Sequence, residues 1–134
     1  MVLDKKSTRS INIKFPLERS SEGSFAMNEE TIAAVADDLK VLILTNYGER
    51  PMLYDFGCNL RPLLFDAMGQ EFKQKVSDSV TFAVSKWMPY VRILSIDVLL
   101  SDDASLQDNE CKINVKFSVG NTDLKNEMAV VLRK

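Results

Sequence analysis

The sequence predicts an α+β domain with helices in the middle of the chain and strands toward both ends. Two observations carry this expectation. Apolar residues recur at three- and four-residue intervals across 28–45 and again across 70–87, whereas across 11–15 and 111–119 they alternate with polar residues. With 134 residues the chain is long enough to bury about two thirds of its unfolded surface in one core. The expected architecture is therefore a single domain over residues 1–134, with residues 1–10 as a flexible arm. A small mixed or antiparallel sheet, built from the N- and C-terminal strands, packs against two or three helices.

The first strand is read from Ile11, Ile13 and Phe15, which alternate with Asn12 and Lys14 until Pro16 intervenes. Residues 17–27 hold Ser, Glu and Gly23 with little to bury, and read as an exposed, mobile connection. Asn28 suits a helix N-cap, with Glu29 and Glu30 near the positive end of the dipole. The helix runs to about residue 45, with Ile32, Val35, Leu39, Leu42 and Ile43 inward and Asp37, Asp38 and Lys40 outward. Gly48, Pro51 and Gly57 among several aromatics mark 46–60 as a structured loop.

A short helical turn over 61–67 turns Leu63, Leu64 and Phe65 inward and stops at Met68-Gly69. The second long helix presents Phe72, Val76, Val80, Ala83, Val84 and Trp87 on one face until Pro89 stops it. In the last third, Val91 and Ile93 alternate, then the phase slips at Leu94, predicting a bulge. Cys111, Ile113, Val115, Phe117 and Val119 form the most regular half-buried strand, after an acidic loop over 101–110. Gly120-Asn121 signals a turn, and 128–132 is a last strand whose pairing partner the pattern does not identify.

Composition removes several function classes. Seventeen basic against nineteen acidic residues, with no basic run beyond Lys5-Lys6, lack the electrostatic footprint of a nucleic-acid binder. No apolar run approaches the roughly 18 residues of a membrane span, and residues 1–10 lack a secretory pattern, so the expected compartment is a cytoplasm. Cys58 and Cys111 have no CxxC spacing, so neither a zinc site nor a disulfide framework is indicated. The absence of histidine rules out a Ser-His-Asp or Cys-His device. Gly48 and Gly57 belong to no phosphate-binding pattern.

Four stretches, Phe15-Pro16-Leu17, Thr45-Asn46-Tyr47-Gly48-Glu49-Arg50-Pro51-Met52, Asp55-Phe56-Gly57-Cys58-Asn59-Leu60 and Leu64-Phe65, resemble the sheath-initiator family of contractile tails. That family includes baseplate wedge subunits of phages, the tail protein W of temperate phages and a baseplate component of type VI secretion systems. The resemblance extends from about Ile11 to Val131. It implies a structural, non-enzymatic baseplate subunit of the virion, assembled in the host cytoplasm, with no cofactor and no metal. The implied partners are sheath protein and baseplate wedge proteins, with the tail tube or hub as further neighbours, and neither nucleic acid nor membrane. The fidelity of the loop motifs favours a phage or phage-derived particle over a type VI system.

On this resemblance, Tyr47, Gly48, Glu49, Arg50, Pro51, Met52, Asp55, Phe56 and Gly57 form a wedge-docking loop. Lys112, Ile113, Asn114, Val115, Lys116, Phe117, Met128, Val130 and Leu132 mark the strands to which sheath arms would add through edge hydrogen bonds. Solvent-facing Lys112, Asn114 and Lys116 are equally ordinary anti-aggregation residues. Where the family carries Glu-Pro-Arg after the long helix, this chain has Met88-Pro89-Tyr90, with Arg92 two residues on as a replacement arginine.

Each loop residue also has a plainer role. Glu49 and Arg50 could be structural, Arg50 pairing with Asp55 or another acid, or they could touch a partner directly. Tyr47, Tyr54 and Phe56 are interface anchors or a small core under the loop, and Trp87 is a core residue. A peptidoglycan hydrolase using Glu49 and Asp55 would need carboxyl groups about 5 to 9.5 Å apart, one with a raised pKa.

Overall fold

The computed structural model describes residues 10–21, 23, 25–28, 30–67, 69–100, 110–120 and 125–133. Within them lie helices α1 (Thr31–Leu44) and α2 (Gln70–Trp87) and a 3-10 turn at Pro62–Phe65. The strands are β1 (Asn12–Ile13), β2 (Met27–Asn28), β3 (Val91–Leu100), β4 (Glu110–Val119) and β5 (Lys125–Arg133). They form two antiparallel sheets, a β1-β2 ladder and a three-stranded sheet in the order β3-β4-β5. The α+β class matches the expectation. The N-terminal strand does not join the C-terminal ones, because Asn12 and Ile13 pair with Asn28 and Met27 instead.

β4 is the middle of the larger sheet. Cys111, Ile113, Val115 and Phe117 are fully buried, alternating with half-buried Lys112 and Asn114 and exposed Lys116, as expected of a sheet covered on one face. Residues opposite one another in an antiparallel ladder share a face. The register therefore adds Met128, Val130 and Leu132 from β5, and Ile93, Ile96, Val98 and Leu100 from β3, to the same apolar layer. The phase slip near Leu94 is a register shift between Ile93 and Ser95, the expected bulge.

Both helices cover that layer. α2 packs on β3, while α1 packs on β5 and against α2. Phe72, Val76, Val80, Ala83 and Val84 of α2 and Val35, Leu39, Leu42 and Ile43 of α1 are buried at helical spacing. Cys58, Leu60 and Leu64 close the core below the loop. At about 1.5 to 3 kcal/mol per fully buried large apolar side chain, this one layer supplies most of the folding drive.

Four local expectations are corrected. Helix α1 begins at Thr31 with Glu30 at its N-cap position, and Asn28 lies in β2 rather than capping it. Asp37, expected outward, is buried, because Asn28 Nδ2 and the Phe15 amide both donate to its Oδ2, at 2.6 and 3.1 Å. Of Leu63, Leu64 and Phe65, Leu64 is buried, Leu63 half-buried and Phe65 exposed, since the tighter 3-10 turn spreads three successive side chains over three directions. Ile11 and Ile13 are exposed; Asn12 occupies the inward position of that strand, donating to Ala34 O at 3.2 Å and Asp38 Oδ1 at 2.9 Å. The chain over 17–27 is largely exposed as expected, but it returns as the second strand of a hairpin, bridged again at Arg19 and Phe25.

The acidic loop predicted over 101–110 falls outside the described residues except for Glu110, which opens β4. There it is buried opposite Arg133, whose Nε lies 2.7 Å from its Oε1. The turn at Gly120-Asn121 has Gly120 at φ 60°, and Asn121 is outside the described residues.

Urea denaturation should separate two phenylalanines. Phe117→Ala, in the fully buried middle of β4, is expected to cost about 3 to 5 kcal/mol. Phe82→Ala, on the exposed face of α2, should stay within about 0.5 kcal/mol.

Candidate docking site

The loop over 45–60 begins where α1 ends. Thr45 leaves the helix in extended conformation, while its amide and hydroxyl both donate to Val41 O, at 3.1 and 2.6 Å. The returning chain satisfies further helix-end carbonyls: Cys58 N donates to Leu42 O and Thr45 O, each at 3.2 Å, and Asn59 N to Thr45 O at 3.4 Å. This close return dictates Gly57. Its φ is 116°, and a Cβ there would sit 2.1 Å from Thr45 O. Across the loop, Gly48 N donates to Tyr54 O at 2.7 Å with φ 83° at Gly48, in open space.

The loop's charged groups are largely satisfied within the protein. Glu49 accepts from Asn46 Nδ2 at 3.0 Å and from Asn46 N at 2.9 Å, which holds its carboxyl below the ordinary range, and Arg61 lowers it further. Asn46 Oδ1 in turn accepts from Arg61 N at 3.1 Å, tying the loop's two ends. Asp55 pairs with Lys86 of α2, whose hydrogen bond holds the Asp55 carboxyl low. Arg50 does not pair with Asp55: its guanidinium lies over the Phe56 ring at 4.6 Å, and Asp55 is taken by Lys86. Phe56 meets Trp87 edge-on at 5.1 Å.

Phe56 and Trp87 thus form the small core under the loop, and both are half-buried. Tyr47 and Tyr54 point outward. So does Met52, 91% exposed and held at φ 65°, a left-handed conformation that costs a non-glycine residue roughly 1 to 2 kcal/mol. Phe65, 70% exposed, shares with Tyr47, Asn59, Arg61 and Pro62 a crevice of ≈ 390 Å³. The sequence reading missed Phe65, Lys86 and Asn46 as parts of this site. Of these, Asn46 left a signal, standing three residues before Glu49 in a glycine-containing turn.

The remaining candidate residues lie elsewhere. Pro89 and Tyr90 make the turn from α2 into β3, where Val91 N donates to Met88 O and Gly120 N to Tyr90 O, both at 2.9 Å. Arg92 is exposed opposite Ser118. Lys112, Ile113, Asn114, Val115, Lys116 and Phe117 belong to β4, whose two edges are occupied by β3 and β5. Met128, Val130 and Leu132 belong to β5, which has no second strand neighbour among the described residues. Among the described residues, β5 and β3 thus each have one edge without a strand neighbour, and β4 has none.

A two-carboxylate hydrolase needs one carboxyl held protonated near neutral pH. Glu49 and Asp55 are both shifted the opposite way. Burial pushes the Cys58 and Cys111 thiols up to about 12 and about 11, away from the thiolate form. Among the described residues no three His, Cys, Asp or Glu side chains gather as a metal site, and no helix is long and apolar enough to cross a membrane.

The small α+β fold is shared with two solved structures. A crystal structure from Geobacter sulfurreducens, described as a "putative tail lysozyme", superposes with a TM-score of 0.65 at 21% identity, covering 75% of this chain and 87% of that one. A chain of the anti-feeding prophage (AFP) baseplate, determined by cryo-EM with 6-fold symmetry, superposes with a TM-score of 0.67 at 16% identity, covering 83% and 86%. No protein of curated function matches the sequence. Residues 29–124, over two thirds of the chain, match the family of baseplate wedge protein gp25, and the chain belongs to that family.

Two measurements check the loop. Gly57→Ala should unfold the loop or lower the melting temperature by several degrees, because backbone must move, whereas Gly48→Ala should cost only about 1 kcal/mol for its positive φ. The depressed Asp55 pKa means that its contribution to stability is present above the ordinary carboxylate value and is lost as pH falls through the depressed one. In carboxyl-detected NMR, Lys86→Ala should raise the Asp55 pKa back toward its ordinary value. An unchanged titration would show that Lys86 does not hold it.

Proposed function

We propose that this protein is a non-enzymatic structural subunit of a contractile tail baseplate, docked on the wedge through the loop over 45–60 and starting the sheath at the β5 edge. The observation that carries the docking half is Met52. A large apolar side chain held almost fully exposed at positive φ, on a loop whose carboxylates are satisfied from within, is a residue waiting for a partner. Tyr47, Tyr54 and Phe65 supply further outward-facing aromatic surface.

The sheath half rests on topology. β5 offers a row of main-chain groups to an added strand, and α1 behind it gives that strand a rigid support. Because β5 and the loop belong to one packed body, a displacement of the wedge would reach the first sheath ring mechanically. On this reading the protein belongs to the virion's baseplate, with sheath and wedge proteins as partners.

Purified sheath protein provides the test. Successive residues of an edge strand alternate between donating to the neighbour and donating outward. Of Val130→Pro and Val131→Pro, one should therefore remain folded by circular dichroism yet lose sheath capture at least tenfold, while the other destabilises the sheet. Capture unaffected in the variant that stays folded, or none by wild type where sheath polymerises, would overturn strand addition at β5. Met52→Asp with Tyr54→Asp should leave sheath capture intact and abolish incorporation into baseplates.

A further inference from the structure

The hairpin formed by β1 and β2 is attached to the body without sharing its core. No residue of 10–28 belongs to the apolar cluster, and Ile11, Ile13, Leu17, Phe25 and Met27 are between 42% and 65% exposed. What holds it is polar. Asn12 Nδ2 donates to Ala34 O at 3.2 Å and to Asp38 Oδ1 at 2.9 Å, while Asn28 Nδ2 and the Phe15 amide donate to Asp37 Oδ2 at 2.6 and 3.1 Å. The accepting residues stand three and four positions apart on α1, so they share one face of the helix. Ala34 is 2% exposed yet outside the apolar cluster, as expected of a residue covered by the hairpin.

Two features make the hairpin one piece. Main-chain bonds join its two sides, from Ile11 N to Asn28 O and Lys14 N to Ala26 O at 2.9 Å and from Ala26 N to Glu18 O at 2.8 Å, and Asn28 Nδ2 also donates to Asn12 Oδ1 at 3.0 Å. Both sides then converge on a single atom, because Asp37 Oδ2 receives the amide that follows β1 and the side chain that comes from β2. Loss of that one acceptor loosens both together. Lifting the hairpin exposes little apolar surface, and it leaves no buried charge behind. Asp37 keeps Lys40, 3.7 Å from its Oδ1, and gains water in place of the departing donors.

We propose that this hairpin is a strap latched by Asp37, which lifts from α1 as a unit while the helices, the larger sheet and the core stay folded. Segments with few buried apolar contacts open at a fraction of the free energy of global unfolding, and here the boundary between strap and body coincides with the edge of the apolar layer. The match to the baseplate wedge family begins at residue 29, on the body side of that boundary. The open form bares Ala34 and Asp37 and frees Asp38, a face of α1 that the closed form occupies. The strap stands or falls independently of the baseplate reading.

Native-state hydrogen exchange on the full chain, followed by NMR and corrected for intrinsic rates, provides the test. The amides of Ile11, Lys14, Phe15 and Ala26 are expected to open together, about a hundredfold or more faster than those of Ile113 and Val115 in β4. Low urea should leave that opening unchanged, since it exposes little surface. Asp37→Ala should speed all four hairpin amides at least tenfold while β4 exchange stays within a few-fold of wild type. Asn28→Ala, which leaves the sequence of α1 intact, should speed the same four at least threefold and guards against a defect of the helix itself. Hairpin amides exchanging at the β4 rate, or at four unrelated rates, would overturn the strap. So would an Asn28→Ala variant that leaves the four unchanged, or one that speeds β4 as much as the hairpin.

Discussion

Everything else in this molecule is arranged around β4, four of whose side chains are completely withdrawn from water. Cys111, Ile113, Val115 and Phe117 fix which face of the sheet is apolar and, through the register, which residues of β3 and β5 join them. A one-residue slip would turn every one of these side chains to solvent, so the register is strongly specified. The central position of β4 spends its main chain inside the sheet, with β3 bonded along one edge and β5 along the other, so both outer strands are anchored on it.

Rigidity passes from the sheet to the loop through the helices. α1 packs on β5, and its last carbonyls receive the amides of Cys58 and Asn59. α2 packs on β3, and its last turn supplies Lys86 and Trp87 to hold Asp55 and Phe56. The loop is thus clamped from two elements that rest on opposite edges of one sheet. Its polar groups are consumed in the clamping, which leaves apolar side chains as its outward chemistry. Such a surface gains little from solvent, and on the function proposed above it gains more from a fitting partner.

The parts legible in the sequence were those governed by periodic burial. The helical stripes of α1 and α2, the alternation in β4 and the bulge at Leu94 all follow from one apolar layer, and a layer leaves a period behind it. The loop was legible in outline, since Gly48, Pro51 and Gly57 announce turns, and its motifs carry the family resemblance. Its wiring was not. Arg50 had both an acid and an aromatic ring within a few residues, and the choice of Phe56 depended on Lys86, thirty-one positions away from Asp55, reaching the acid first. No local pattern encodes a contact of that range.

The N-terminal strand shows why period alone can mislead. Alternation identified β1 correctly, and the usual inference that its apolar residues face inward was reversed in the fold. Two inward asparagines next to a buried Asp37 form a hydrogen-bonded set, and burying Ile11 and Ile13 there instead would have left that carboxylate without its amide donors. A buried charge with its partners in place costs less than one stripped of them, so the polar side of the strand is retained by the body and the apolar side is given up to the surface.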